Sequence, residues 1–506
     1  MLHYTGHPFI DIGIAAITAH VRKRQPEDLT AADLAQVAEY IEQQYVKPPL
    51  RGHLTMAFTS NAWFIQDAFN PDRSELSPEK RVERRATRDR WAANHLRQWE
   101  QGDETSGEVC VFTGLPAASR ELSGKLSAGR IGRNQMPLLQ GDDAINFFTG
   151  GDPGLPISPQ ALLALQFMPL GCAKCGVGLL AVHADDGDLT RAFARAFLEQ
   201  NVQAITQAQT AGEDKLPSAQ RSLKTLLIEQ LTDIEQRRMD KERRTKRAAS
   251  ITAYNFNNGK SPQLVMYHLP LQITSFLRTV LTPTYSAAWQ QIVQRSWQRV
   301  QAKPSKQGAP AIAPLPPKYN YLYEDLFTLP KDASRFVRTY FLRVPQRFRF
   351  EDDPRSDYSP RRERDLISWP LVVLFLKEVM DMDEERIERI RVLGDKLADY
   401  TRQQGGKRFF REFFTEQKTS RFLTLLMKTN INYVKLTKGQ DVLFDLDGYL
   451  DVFMDGTELM RPDWWLARDL MLIRMVEQLK GWLAQNPDAI PEEELQPTAS
   501  ESEVSA

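Results

Sequence analysis

Two cysteine turns are the first residues of this 506-residue chain whose spacing suggests chemistry. Cys172-Ala-Lys-Cys175-Gly176 has the form of a zinc knuckle. In such a turn two thiolates are brought together and a glycine tolerates the tight backbone. Cys110-Val-Phe-Thr113-Gly114 repeats the spacing and the trailing glycine, with threonine in the second ligand position. Structural zinc takes four ligands, and a threonine hydroxyl is a poor one. Cys110, Cys172 and Cys175 therefore make at most a degenerate zinc site, and no cofactor is required. The alternative is a pair of turns that meet in the fold without metal. Three cysteines cannot build a disulfide framework, which points to a reducing compartment.

Asp445-Leu-Asp447-Gly448 is the second motif. Asp-x-Asp-Gly at a strand end is the arrangement of haloacid-dehalogenase-type phosphatases, where the first aspartate is the nucleophile and the second an acid/base. Here Tyr449 replaces the usual threonine, only about sixty residues follow, and the context is helical. A coincidental turn is the expectation. No phosphate-binding G-x-x-x-x-G-K-[ST] and no His-Glu-x-x-His occurs, and the seven histidines are scattered. The chain is not expected to be an enzyme.

Cations carry the positive signal. Lys80 to Arg97 interleaves seven basic residues with Trp91, and Trp99 follows. Arg335, Arg338, Arg343, Arg347 and Arg349 alternate with Phe336, Tyr340, Phe341, Phe348 and Phe350. Arg402, Lys407, Arg408, Arg411, Lys418 and Arg421 lie beside Phe409, Phe410, Phe413 and Phe414. Guanidinium groups contact phosphates and aromatic rings stack on bases, so this interleaving suits single-stranded nucleic acid. The bland reading is an amphipathic helix with aromatics in the core and solvated charges outside. A polar set completes the picture: Lys125, Arg130, Arg133, Asn134 and Gln135 in a Gly-rich loop, and Asn255, Asn257, Asn258 and Lys260 around a turn. Such side chains read base edges, although turns also favour Asn and Gly for backbone reasons.

The elements that must position these residues follow from periodicity. Thr30 to Asp33 predicts a helix cap ahead of Leu34, Val37, Ile41 and Tyr45 on one face. Residues 53–58 and 179–184 read as strands, 118–156 as a long functional loop, and 159–168, 188–209 and 217–247 as helices. Ile251 to Leu269 reads as a hairpin around Asn257-Asn258-Gly259-Lys260. Five prolines between 303 and 318 mark a linker, and 335–343 and 364–484 are helical in pattern. The expectation is an α+β, mostly helical chain. It has a mixed N-terminal domain (1–302) with short strands and a zinc-ribbon-like element. The linker 303–318, a C-terminal helical bundle (319–485) and a disordered acidic tail (486–506) follow. Composition agrees with a globular protein of two to four domains: 42% hydrophobic and 26% charged. Lys+Arg number 65 and Asp+Glu 65, so the chain is not uniformly basic. Basic Arg22, Lys23 and Arg24 follow the apolar N-terminal stretch, the wrong order for a signal peptide, and no run is long enough to span a membrane. A cytoplasmic protein is expected.

Taken together, these residues resemble the CXXC–CXXC type large subunit of type I-B CRISPR effector complexes (Cascade). The opening Tyr4-Thr-Gly6-His-Pro8-Phe9-Ile-Asp11-Ile-Gly13-Ile-Ala15-Ala16 is similar to its Gly-x-Pro-Phe-x-Asp-x-Gly signature. The two cysteine turns are similar to its paired-cysteine turns, with the departure at Thr113. Further likeness lies in Pro137-Leu138-Leu139 to Asn146-Phe147-Phe148, in Tyr254-Asn-Phe-Asn257-Asn258-Gly259, and in Met382-Asp-Glu-Glu-Arg386-Ile-Glu-Arg389-Ile390. The resemblance implies a non-catalytic subunit that checks a short duplex motif, the PAM, while guide RNA reads the target by base pairing. It also implies help in duplex opening, R-loop stabilisation and recruitment of a downstream effector, either a helicase-nuclease or transposition proteins. The implied partners are CRISPR RNA, target DNA and the Cascade backbone and small subunits, with no membrane. On this reading the loop 125–135 and the hairpin 255–260 contact PAM-proximal duplex. Arg338, Arg343 and Arg347, with Arg402 to Arg421, then hold the displaced strand. The competing class is a structural or scaffold protein of a multiprotein assembly without direct DNA recognition.

Overall fold

The computed structural model describes residues 2–71, 75–100, 106–139, 141, 152–242, 247–300, 316–346, 352–455, 459–461 and 463–491. It is a mostly helical α+β chain divided into two compact units, Met1–Leu271 and Gln272–Ala506. The division precedes the proline-rich stretch, most of which lies outside the described residues, so 272–302 belong with the second unit and not with the N-terminal one. The described chain continues past 486: Ala489 and Ile490 are buried, because a short 3-10 turn at Pro487–Ala489 tucks them inward.

In the first unit, helix α1 (Pro8–His20) is buried without interruption from Phe9 to Thr18. A helix apolar on every side is stable only when surrounded. Its one acidic residue, Asp11, is satisfied locally: Thr5 N–H, Thr5 Oγ1 and Gly6 N–H donate to it at 2.6, 2.8 and 2.9 Å, and His183 Nε2 lies 3.1 Å away. Burial alone would push this carboxyl up, but those hydrogen bonds outweigh it and hold the group below the usual carboxylate value. Helix α2 (Ala31–Gln44) opens on the expected Thr30–Asp33 capping box and buries Leu34, Val37 and Ile41.

Residues 53–58, expected as a strand, instead close a short helix α3 (Leu50–Leu54) and the turns after it. Local bonds such as Phe58 N–H to Leu54 C=O close the backbone there, and among the described residues the run joins no sheet. A short apolar run fits either structure, and here local closure won. Helix α4 (Pro78–His95) follows. Then comes the long loop, pinned by the two-residue strands β1 (Arg130–Ile131) and β2 (Leu155–Pro156).

Helices α5 (Pro159–Phe167), α6 (Gly187–Ala211) and α7 (Leu223–Glu242) follow, and α1 and α6 pack against an antiparallel sheet. Its strands are β3 (Ala173–Cys175), β4 (Gly178–Ala184), β5 (Ile251–Asn257) and β6 (Gln263–Leu269), in the order β3-β4-β5-β6. The register runs without a bulge from Ile251↔Leu269 to Asn257↔Gln263, as the hairpin pattern predicted. Ile251, Ala253 and Phe256 of β5 are buried, whereas β6 is an exposed edge strand.

Among the described residues, the regular structure of the second unit is helical apart from the two-residue strands β7 (Met454–Asp455) and β8 (Leu459–Met460). Its helices are α8 (Leu271–Thr279), α9 (Ser286–Gln294), α10 (Tyr321–Asp325), α11 (Ala333–Phe336), α12 (Trp369–Glu378), α13 (Glu384–Tyr400), α14 (Gly406–Thr415), α15 (Thr419–Leu436), α16 (Leu446–Phe453), α17 (Trp464–Gln478) and α18 (Lys480–Gln485). Helix α13 lies against α17, whose residues 466–473 are all buried. The expected helix over 335–343 is split, α11 running into a π turn at Val337–Phe341. Asp445 caps α16, its Oδ1 accepting from Gly448 N–H at 2.8 Å. The Asp-x-Asp-Gly motif is thus a helix start.

Gly13 sets the contact between α1 and α5. A Cβ there would stand 2.1 Å from the Ala164 carbonyl oxygen, a backbone atom that cannot move aside. Gly13→Ala is expected to lower unfolding free energy by about 1–3 kcal/mol. Gly52→Ala in α3, where a Cβ meets nothing within 4 Å, is expected to be neutral or to stabilise by up to about 1 kcal/mol. Paired denaturant titrations check both.

Candidate nucleic-acid interface

The two polar segments, more than a hundred residues apart in sequence, meet in the first unit. The sheet places the β5–β6 turn beside the β3–β4 turn, where the Asn257 side-chain amide donates to the Val177 carbonyl. Asn257 Oδ1 accepts from Gly259 N–H at 2.8 Å, which closes the turn on itself. Asn258 is fully buried and points inward. Its Nδ2 donates to Ala57 C=O at 3.0 Å and Arg133 C=O at 3.2 Å. Its Oδ1 accepts from Leu138 N–H at 3.1 Å and Arg133 Nε at 3.3 Å. Both donors and both lone pairs of the carboxamide are engaged. Arg133 in return donates to the carbonyls of Asn258 and Gly259.

Several residues read from the sequence as base contacts have inward roles. Arg130 is buried; Nε donates to Glu108 Oε2 at 2.9 Å and Nη2 to Oε1 at 2.5 Å, while Nη1 reaches the Pro153 and Gly154 carbonyls at 3.2 Å. Gln135 is buried, bonded to Gly132 N–H and Leu122 C=O. Asn134 Oδ1 accepts from Thr59 Oγ1 at 2.6 Å. The Oδ1 of Asn255 is buried without a hydrogen-bond partner, 3.1 Å from where a Gly178 Cβ would stand. Only Lys125 and Lys260 present exposed side chains. The polar residues build the surface, and two lysines decorate it. Sequence reasoning missed the 56–59 segment as part of the site, because it read that run as a strand. It also missed the apolar flank at Val177, Leu264, Val265 and Met266, all exposed.

The cysteine turns form as glycine-terminated turns, with Gly114 and Gly176 at φ +68° and +61°. Their donor set does not fit zinc. Thr113 Oγ1 is 3.1 Å from Ser158 Oγ, the cap of α5, and Cys172 Sγ is directed at the Met168 carbonyl. Burial pushes the thiols of Cys172 and Cys175 up, the latter to about 12. Among the described residues no three His, Cys, Asp or Glu side chains gather as a metal site.

In the second unit two arginines of the 335–349 cluster, Arg338 and Arg343, are tied into the fold. Arg343 is fully buried at φ +62°, its Nε on Glu363 at 2.9 Å and its plane 3.4 Å from the Tyr358 ring centre. Arg338 Nη1 donates to both oxygens of buried Asp469, at 2.9 and 3.0 Å. Burial would push that carboxyl up, but Arg338 and Arg468 outweigh it and hold it below the usual value. Arg347 lies outside the described residues.

The 402–421 cluster differs. Phe409, Phe410, Phe413 and Phe414 of α14 are buried, while Lys407, Arg408 and Arg411 are exposed on the opposite side, followed by exposed Lys418 and Arg421. Arg402 is drawn to Asp399 at 2.9 Å, and Lys407 lies 3.6 Å from Asp488. In each cluster the described aromatic rings pack inward: Phe336 stacks on Phe375 at 5.1 Å and Trp91 on Trp63 at 4.4 Å. Base stacking on interleaved aromatics, expected from sequence, therefore has no exposed ring to act through in α14 or at 336–341.

Compared with known proteins, the chain matches no family model and no curated protein.

Asn258→Ala would strip partners from buried carbonyls of Ala57 and Arg133 and the Leu138 amide. Each buried orphan costs about 1–3 kcal/mol, so a loss of several kcal/mol is expected in a denaturant titration. Hydrogen exchange should rise locally at 56–58 and 133–138.

Proposed function

We propose that the chain is the non-catalytic large subunit of an RNA-guided CRISPR surveillance complex of the Cascade type. In that role it recognises the PAM in target double-stranded DNA, aids duplex opening and recruits a downstream effector. The observation that carries this reading is the clamp between Asn258 and Arg133, which joins the loop to the hairpin, the segments in which Lys125 and Lys260 are exposed. Lysine ammonium groups donate to guanine edges and to phosphates, and a backbone already closed by its own hydrogen bonds lowers the ordering cost of binding to that of the side chains. The exposed cations of α14, with Lys418 and Arg421, then hold backbone phosphates of the displaced strand. The described residues contain no helix long and apolar enough to cross a membrane, and a nucleic-acid partner needs none.

A scaffold role is the second reading, favoured by the exposed Leu264, Val265 and Met266 on the edge strand β6, a surface type that proteins bind. The two separate by target discrimination. Complexes assembled with the Lys125→Ala/Lys260→Ala chain should lose about 1–3 kcal/mol of preference for PAM over non-PAM duplex, measured by paired binding titrations. Unchanged preference would sink the base-reading surface and leave the scaffold reading.

A further inference from the structure

We infer that α4 is a second nucleic-acid element, an arm that lies along the phosphate backbone of a duplex. The inference rests on the reading that this chain holds nucleic acid, but not on which duplex motif it reads. Helix α4 has 18 residues, of which only Ala92 is buried. It is a rod of about 27 Å, the length of about eight base pairs. Six basic residues face three acidic ones, and the signs are sorted. At 3.6 residues per turn Lys80, Arg81, Arg84, Arg85 and Arg88 fall within roughly 140° of arc, with Glu79, Glu83, Asp89 and Arg90 outside it.

Part of that row is held down and part is offered. Arg84 donates to the Asn70 carbonyl at 3.2 Å, and Arg88 lies 3.7 Å from Asp89 with little side-chain exposure. Lys80, Arg81 and Arg85 are exposed. The C-terminal end is anchored: Trp91 lies against Trp63 and stacks on His95 at 4.4 Å, and His95 Nε2 meets the Leu122 carbonyl at 3.3 Å. Leu122 belongs to the loop that carries Lys125, so the C-terminal end of α4 is tied to the segment already described. Its packed tryptophan is not a platform for unpaired bases, and the exposed row offers cations alone. Charge without stacking fits the regular phosphates of a duplex better than a single strand, which gains much of its affinity from stacking.

The test uses the full chain and a labelled duplex of about 20 base pairs of arbitrary sequence, titrated over a range of salt. Each phosphate contact contributes about 0.9 to the slope of log K against log salt, so Lys80→Ala/Arg85→Ala should reduce that slope by about 2. Arg90→Ala, on the acidic side, should leave it unchanged. An unaltered slope in the double variant, as a protein partner for α4 would give, overturns the inference. So does an equal fall for Arg90→Ala, or an equal fall with a single strand of the same length. In assembled complexes the double variant should weaken PAM and non-PAM binding alike. If the unsubstituted chain binds no duplex, the reading beneath the inference has failed, and not the placement of α4 alone.

Discussion

One buried carboxamide fixes the surface on which the functional account stands. Asn258 uses every hydrogen-bonding position it has, joining the β5–β6 turn to residues 57, 133 and 138. Its own N–H adds a 2.7 Å bond to Met56 C=O. No apolar residue could replace it, because the Ala57 and Arg133 carbonyls and the Leu138 amide are backbone groups that lose a partner whatever apolar side chain stands there. Behind it lies the sheet, and behind the sheet α1, where Phe9 packs on Tyr254 and Phe256 of β5. The N-terminal helix and the hairpin are thus packed against each other.

Much of the fold was legible where pattern is local. The Thr30–Asp33 box, the β5–β6 hairpin and the apolar face of α14 follow from spacing alone. The 53–58 run was not legible, since a short, mainly apolar run suits a strand or a helical turn equally. The split in 335–343 was hidden for another reason: Arg343 adopts positive φ so that its guanidinium can reach Glu363 and Tyr358, a tertiary demand with no local signature. The site was half legible. Sequence located the loop and hairpin but could not tell which polar side chains face inward. Asn258 and Lys260 look equally available in sequence, and only the packing separates them.

The balance of 65 cations and 65 anions takes its meaning from the same separation. Many arginines are internal ties: Arg130 to Glu108, Arg343 to Glu363, Arg468 to Asp469 and Arg474 to Asp395. In the two pairs buried on both sides, Arg343 with Glu363 and Arg468 with Asp469, removing one partner strands a charge in the interior, at a cost of about 3–5 kcal/mol. These residues hold the fold and do not advertise a ligand. Among the cations exposed at the surface are those of α4, those of α14 and Lys260 at the hairpin, so a neutral chain still carries local basic surface.

The central claim is that this chain works as the duplex-reading subunit of an RNA-guided complex. The most direct measurement is to isolate the full chain from its native cell under mild salt and sequence the nucleic acid that accompanies it. The account predicts short RNAs sharing a common repeat-derived handle, bound through the companion subunits. Recovery of the chain in a stable protein assembly with no RNA, or with RNA lacking any shared handle, would contradict it.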